Sequence, residues 1–222
     1  MTAATSSRTV DLVLRVAKII ERTTAEGPHT RMALWVAGCT LRCPGCCNPE
    51  LFDPNAGEPL SRADLEARLD ALRGHIEGIT VLGGEPLQQP SAVAELLEAA
   101  VERDLGTVVF SGYTLAEARP RPGFDAIWSR VDTLIDGRFD VDATLPPRRY
   151  IGSSNQRLIH RTARYASGAL WSGNTRIEVR IGPDGRVEAH GLPAPVAKIR
   201  RAIRHPDDPP VAKRRRGDAR PR

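Results

Sequence analysis

No apolar run in this 222-residue sequence approaches the ~18 residues that a membrane helix needs, so no bilayer span is expected. The opening MTAATSSRTVDLVLRVAKII lacks the basic start, long apolar block and small-residue cleavage site of a secretory leader, and a cytoplasmic protein is expected. No segment repeats at a period of about 20–50 residues, which excludes a solenoid. Outside one short stretch there is no cysteine, so a disulfide frame has nothing to join. An excess of one charge is also missing from most of the chain. The net charge is +5, but the residues from Lys198 onward hold ten Lys and Arg against three acids, leaving −2 for the preceding 197 residues. No nucleic-acid surface is expected on the folded part. The basic end KRRRGDARPR reads as a solvated, disordered tail.

What remains is an ordinary soluble composition, 41% hydrophobic and 27% charged, long enough for one sizeable α/β core. LVLRVAKII and RMALWVAG read as an opening hairpin around the turn AEGPHT. Ser61, with Asp64 three residues on, predicts the start of a helix carrying Leu65, Leu69 and Leu72 on one face. GITVLGG (Gly78–Gly84) reads as a buried strand. Ser91 is expected to cap a second helix with Val93, Leu96, Leu97 and Val101. GTVVFSG and VDTLIDG are the next strands, with TLAEA a short helix between them. Strands alternating with helices predict βα units on a mostly parallel sheet, with functional loops at the carboxyl ends of the strands. The cysteines, GGEP, SGYT and DGRF each follow a predicted strand at that end. TRIEVRIGPDGRVEAHG alternates on both sides of a Pro-Asp-Gly turn and predicts a C-terminal β-hairpin. One domain over residues 1–205 and a tail over 206–222 are expected.

All four cysteines lie in GCTLRCPGCCN, Gly38–Asn48. Three of them, Cys39, Cys43 and Cys46, form a Cys-x3-Cys-x2-Cys run, with Cys47 pressed against the last. A structural zinc site closes with four ligands, usually as two separated pairs; no second pair exists, and His29 and His75 stand at no zinc spacing. An iron–sulfur cubane has four irons, and three cysteines leave one iron without a protein ligand. That iron is open to a small molecule binding through nitrogen and oxygen. Cys47 as a fourth ligand would close the cluster into an electron carrier. Adjacent side chains point apart, so Cys47 is read as a small residue without a ligand role.

CTLRCPGC resembles the signature of the radical S-adenosylmethionine superfamily. Within it, WVAGCTLRCPGCCNP, LGGEPLQQ, FSGYTLAE, LIDGRF and GSSNQR, in that order from Trp35 to Arg157, resemble the activating proteins of anaerobic ribonucleotide reductase and related glycyl-radical activases. The resemblance implies a partial TIM-type βα barrel, and a 4Fe-4S cluster on Cys39, Cys43 and Cys46 whose fourth iron chelates the amino and carboxylate groups of S-adenosyl-L-methionine. Cys47, the C-terminal hairpin and the basic tail depart from that pattern.

The remaining motifs have two readings each. In GGEP, Gly83 and Gly84 allow close backbone approach and Glu85 supplies acceptors for a cation. The family binds the methionine ammonium with this segment, Gly83–Pro86; the plain alternative is a strand-ending turn. Ser111 and Tyr113 in SGYT suit ribose or carboxylate contacts, or the segment is a turn with Thr114 capping the next helix. Asp136 is a candidate contact to the cofactor or a cation, and Arg138 to a carboxylate; a solvated turn is the alternative. Ser153 and Asn155 of GSSNQR lie near the cofactor by resemblance. Trp35, Trp128 and Trp171 read as packing.

The function so implied is reductive cleavage of S-adenosylmethionine to a 5′-deoxyadenosyl radical that installs a glycyl radical on a partner enzyme. An electron donor such as flavodoxin or ferredoxin and anaerobic conditions go with it. Two other classes stand beside it: a radical enzyme modifying a small molecule or ribosomal peptide, and a non-enzymatic four-cysteine metal or electron-transfer protein.

Overall fold

The first hairpin forms as the alternation predicts. In the computed structural model, which describes residues 13–143, 148–173, 177–185 and 187–191, β1 (Leu14–Thr23) pairs antiparallel with β2 (Arg31–Val36). Every residue of β2 is buried, because the strand has layers on both sides. Met32, Leu34 and Val36 pack with the helices, while Ala33 and Trp35 join Ile20 and Leu51 on the opposite face. A short β3 (Glu58–Leu60), absent from the expected elements, pairs with the outer edge of β1.

From β2 the chain winds through α1 (Arg62–Ala71), β4 (Gly78–Gly83), α2 (Pro90–Val101), β5 (Gly106–Ser111), α3 (Leu115–Ala118), α4 (Phe124–Trp128) and β6 (Thr133–Asp136). The helical crossovers make β2, β4, β5 and β6 parallel neighbours. An antiparallel edge strand, β7 (Arg157–His160), completes a seven-stranded sheet in the order β3-β1-β2-β4-β5-β6-β7. The architecture is α/β, as expected.

Local chemistry explains the helix starts. Ser61 accepts a hydrogen bond from the Asp64 N–H, a cap worth about 1 kcal/mol, and Leu65 and Leu69 are buried behind it. Helix α2 departs from expectation. It begins at Pro90, whose fixed φ and missing N–H suit the first turn, so Ser91 lies inside the helix and is not its cap. Val93, Leu96 and Leu97 are buried, whereas Val101 is 49% exposed at the end of the helix. Helix α4 has no counterpart among the expected elements. Phe124 and Ile127 anchor it, and Trp128 stacks on Phe124 with ring centroids 5.9 Å apart. Trp35 and Trp171 are buried, in keeping with packing roles.

The predicted C-terminal hairpin is present as β8 (Ile177–Ile181) and β9 (Val187–Gly191). It docks on the first hairpin: Lys18 pairs with Glu188 at 3.2 Å, the Thr24 N–H donates to Glu178 at 2.7 Å and the Gly191 N–H to Glu26 at 2.9 Å. The tail from residue 206 and the boundary at 205 lie outside the described residues. No helix among the described residues is long and apolar enough to cross a membrane.

Candidate functional site

Parallel register aligns the exits of the central strands. Val36 pairs with Gly83, Val81 with Val109, and Ser111 with Asp136, so the four loops singled out from the sequence share one rim.

The cysteine loop leaves β2 through Gly38, whose φ of +84° is left-handed and whose N–H donates to the Leu51 carbonyl at 2.9 Å. Cys46 N–H donates back to the Cys43 carbonyl at 3.1 Å across Gly45, φ +71°. The Arg42 guanidinium lies 4.5 Å over the Phe52 ring and packs the loop down. Cys39, Cys43 and Cys46 are half-buried, and Cys47 is exposed. Each of the three faces backbone N–H groups: Cys39 those of Leu41 and Arg42, Cys43 that of Phe139, Cys46 that of Asn48.

Burial pushes the Cys39 and Cys43 thiols up, while a hydrogen bond from Cys47 holds Cys46 down at about 7. Giving that bond pushes Cys47 up in turn. Backbone N–H groups turned toward the sulfurs suit a cluster, whose charge needs donors there. Among the described residues no three His, Cys, Asp or Glu side chains converge on a single ion. A cubane asks for less convergence, because each cysteine binds a different iron. The loop therefore fits such a cluster.

The GGEP loop is zipped to this stem. Gly84 N–H donates to the Val36 carbonyl at 2.7 Å and Glu85 N–H to the Gly38 carbonyl at 2.8 Å. A Cβ on Gly84 would stand 2.4 Å from the Gly38 oxygen, so only glycine allows the approach. The Glu85 carboxylate does not face outward. It is 1% exposed and accepts from the Leu87 N–H (3.0 Å), the Ser111 hydroxyl (2.9 Å) and the Gly112 N–H (2.8 Å). Burial outweighs these donors and raises its pKa from 4.5 to about 7. Glu85 thus braces the β4 exit against the β5 exit, and buried Pro86 opens the next turn.

Ser111 serves the same brace, and its oxygen also accepts from the Tyr113 N–H at 3.0 Å. Tyr113 is buried under the Arg121 guanidinium, 4.0 Å from its ring. Thr114 forms a capping box with Glu117 on α3, so the turn reading of SGYT holds for that residue. Asp136 is fully buried, pairs with Arg157, and accepts from the Leu115 N–H at 2.6 Å. Arg138 pairs with Glu117 at 3.0 Å.

Buried Ser153 accepts from the Asp140 N–H at 3.2 Å, and exposed Asn155 donates to the Arg138 carbonyl at 2.7 Å. GSSNQR is thereby stitched to the loop after β6. That loop abuts the cysteines through Phe139 and through Val141, which would stand 2.8 Å from a Cβ on Gly45.

The structure thus gathers the predicted residues into two sets: Gly83–Pro86 with Ser111, and Ser153 and Asn155 with the loop that follows Asp136. Two side chains that sequence reasoning passed over join the first set. Gln89 donates to the Ala37 carbonyl at 2.9 Å and accepts from the Arg15 N–H at 3.0 Å; Gln88 reaches Thr40 and Tyr113. Their signal was the polar pair after GGEPL, where an apolar turn would need none.

Residues 25–159 match the model of a family described as a 4Fe-4S single cluster domain. The chain is also similar to proteins named anaerobic ribonucleoside-triphosphate reductase-activating protein. It is 36% identical over 149 residues to that of Pasteurella multocida, covering 63% of this chain and 92% of the relative. For the Salmonella typhi protein the identity is 34% over 143 residues, 60% of this chain and 90% of the relative. For that of Escherichia coli it is 32% over 144 residues, again 60% and 90%. The chain belongs to the 4Fe-4S single cluster domain family and, within it, to the group of these activating proteins.

Proposed function

We propose that the chain is a radical S-adenosylmethionine enzyme that installs a glycyl radical on anaerobic ribonucleotide reductase. The observation that carries this reading is the loop of three half-buried cysteines, zipped through Glu85 N–H and Gly84 N–H to a glycine-paired strand exit.

Cys39, Cys43 and Cys46 would hold the cluster, leaving Cys47 outside the ligand set. When bound, the cluster supplies one electron to S-adenosylmethionine, which splits into methionine and a 5′-deoxyadenosyl radical that takes a hydrogen atom from a glycine of the partner. The residues of the chain prepare that event. Gly83 and Gly84 offer bare backbone for the methionine end of the cofactor. Glu85 and Ser111 fix the two strand exits relative to each other. Asp136 ends β6, and Ser153 and Asn155 order the loop after it, beside Cys43, where the rest of the cofactor would lie. We read the sheet as an incomplete TIM-type barrel, residues 1–205 as one domain and 206–222 as a tail dispensable for the chemistry. The electron comes from a flavodoxin or ferredoxin in a reducing, cytoplasmic setting.

Anaerobically reconstituted protein, reduced with dithionite, is expected to yield methionine and 5′-deoxyadenosine in equal amounts. With the reductase added, a glycyl-radical signal should appear in electron paramagnetic resonance. A cluster whose spectrum ignores S-adenosylmethionine, with no 5′-deoxyadenosine formed, would overturn the proposal.

A further inference from the structure

Gln88 ends the short turn Pro86–Gln88 that begins with the Glu85 brace. Its amide is fully engaged: the oxygen accepts from the Thr40 N–H at 3.1 Å, and the nitrogen donates to the Thr40 hydroxyl at 2.7 Å and to the Tyr113 hydroxyl at 3.1 Å. The Thr40 N–H can only donate, so it fixes which end of the amide is oxygen. One side chain therefore grips both the backbone and the side chain of the residue next to Cys39, and ties them to the β5 exit.

That grip matters for the two residues after Thr40. The N–H groups of Leu41 and Arg42 face the Cys39 sulfur, and Arg42 sits at a left-handed φ of +50°. A non-glycine residue held there costs about 1 kcal/mol or more and persists only where its surroundings enforce it. On the near side Arg42 is held by its own guanidinium packed over Phe52, and the backbone enforcement is thin. Cys39 N–H reaches the Phe52 carbonyl at a long 3.4 Å, and Thr40 itself is exposed. Gln88 supplies the anchor that the strand stem does not.

We propose that Gln88 is a positioning residue for the iron–sulfur cluster: by clasping Thr40 it holds the Leu41 and Arg42 N–H groups on the Cys39 sulfur. The inference rests on Cys39 being a cluster ligand. Hydrogen bonds to cluster sulfurs stabilise the more negative, reduced state and raise the reduction potential. Loosening the clasp then lowers the potential and speeds the loss of iron, without removing any ligand. Because the clasp also grips Tyr113, it links the cluster to the loop carrying Ser111 and thus to the Glu85 brace.

The test is an electron paramagnetic resonance redox titration of the reconstituted full chain, with the rate of iron release to a ferrous chelator as a second readout. Gln88→Met keeps the bulk and removes all three bonds. It should load about four irons, as wild type does. At the wild-type midpoint its reduced-to-oxidised ratio should fall about tenfold, equivalent to about 59 mV for one electron, and iron release should rise severalfold. Gln88→Glu can accept from the Thr40 N–H and from both hydroxyls, so release should return to the wild-type rate while the added charge keeps the potential low.

Wild-type titration and release in Gln88→Met would overturn the proposal, as would release from Gln88→Glu as fast as from Gln88→Met. If Gln88→Met does not fold, Thr40→Val decides: it drops one of the two Thr40 bonds and should shift both readouts in the same direction by a smaller factor, and no shift refutes the clasp. Neither readout needs S-adenosylmethionine. Failure of Cys39→Ala to lose the cluster would refute the ligand assignment instead.

Discussion

Asp136, at the end of β6, and Arg157, at the start of β7, stand directly opposite each other and share two hydrogen bonds, of 2.8 and 2.5 Å. The carboxylate is fully buried, while the guanidinium side chain is 57% exposed. The two ends of this pair therefore differ in what their loss leaves behind. Arg157→Ala strands a buried carboxylate with the Leu115 N–H as its remaining donor, whereas Asp136→Asn keeps an acceptor for that N–H and frees Arg157 into water. Arg157→Ala should lower the thermal midpoint more than Asp136→Asn, which should cost about 1 kcal/mol. Thermal unfolding of both variants under anaerobic conditions checks the order, and the reverse order would mean that water reaches Asp136.

Glu85 gives a pH dependence of fixed sign. Its pKa rises from 4.5 unfolded to about 7 folded, so between those values the folded state binds more protons. Its contribution to stability is complete below about pH 4.5 and is lost as the pH rises through about 7. Glu85→Gln cannot titrate. The stability of wild type relative to this variant should fall by about 3 kcal/mol across that window. Urea unfolding of both proteins at several pH values measures the difference, and a constant difference would show that the carboxylate is solvated.

Two glycines of the rim separate backbone from side-chain crowding. A Cβ on Gly84 meets the Gly38 carbonyl oxygen at 2.4 Å, and backbone cannot step aside. At Gly112 the 2.4 Å contact is with Cδ1 of Leu41, which can rotate. Gly84→Ala should cost roughly 1–3 kcal/mol and weaken iron retention, while Gly112→Ala should cost less than about 1 kcal/mol. Equal losses, read by unfolding and iron content, would mean that Leu41 is as fixed as the backbone.

Cys47→Ser should retain about four irons per chain, whereas Cys39→Ala, Cys43→Ala and Cys46→Ala should each lose the cluster. Iron and sulfide analysis after anaerobic reconstitution decides this. A cluster kept by Cys46→Ala and lost by Cys47→Ser would reverse the two neighbouring roles.

The parallel strands were legible because each is a short apolar run closed by glycine, and helix signals stand between them. That alone brought the cysteines, GGEP, SGYT and DGRF to one rim. The inward turn of Glu85 was not legible, since its partners Ser111 and Gly112 lie 26 and 27 residues away and announce nothing locally. Gln88 escaped for the same reason, 48 residues from Thr40. β3 has three residues and α4 five, too few for a period to declare itself. Ser91 misled because a good capping residue stood one place after a proline that starts helices equally well.

The last described hairpin closes on the first across 154 to 172 residues, through Thr24–Glu178, Gly191–Glu26 and Lys18–His190. Contacts that distant carry a large loop-closure cost and form late. During synthesis the cysteine loop, the GGEP turn and the clasp on Thr40 all leave the ribosome before β8 and β9 exist. Until those strands arrive, Trp35 lacks the His190 ring that flanks it at 6.1 Å. Until β8 and β9 dock, the sheet face around Trp35 stands open to water on the side that they cover.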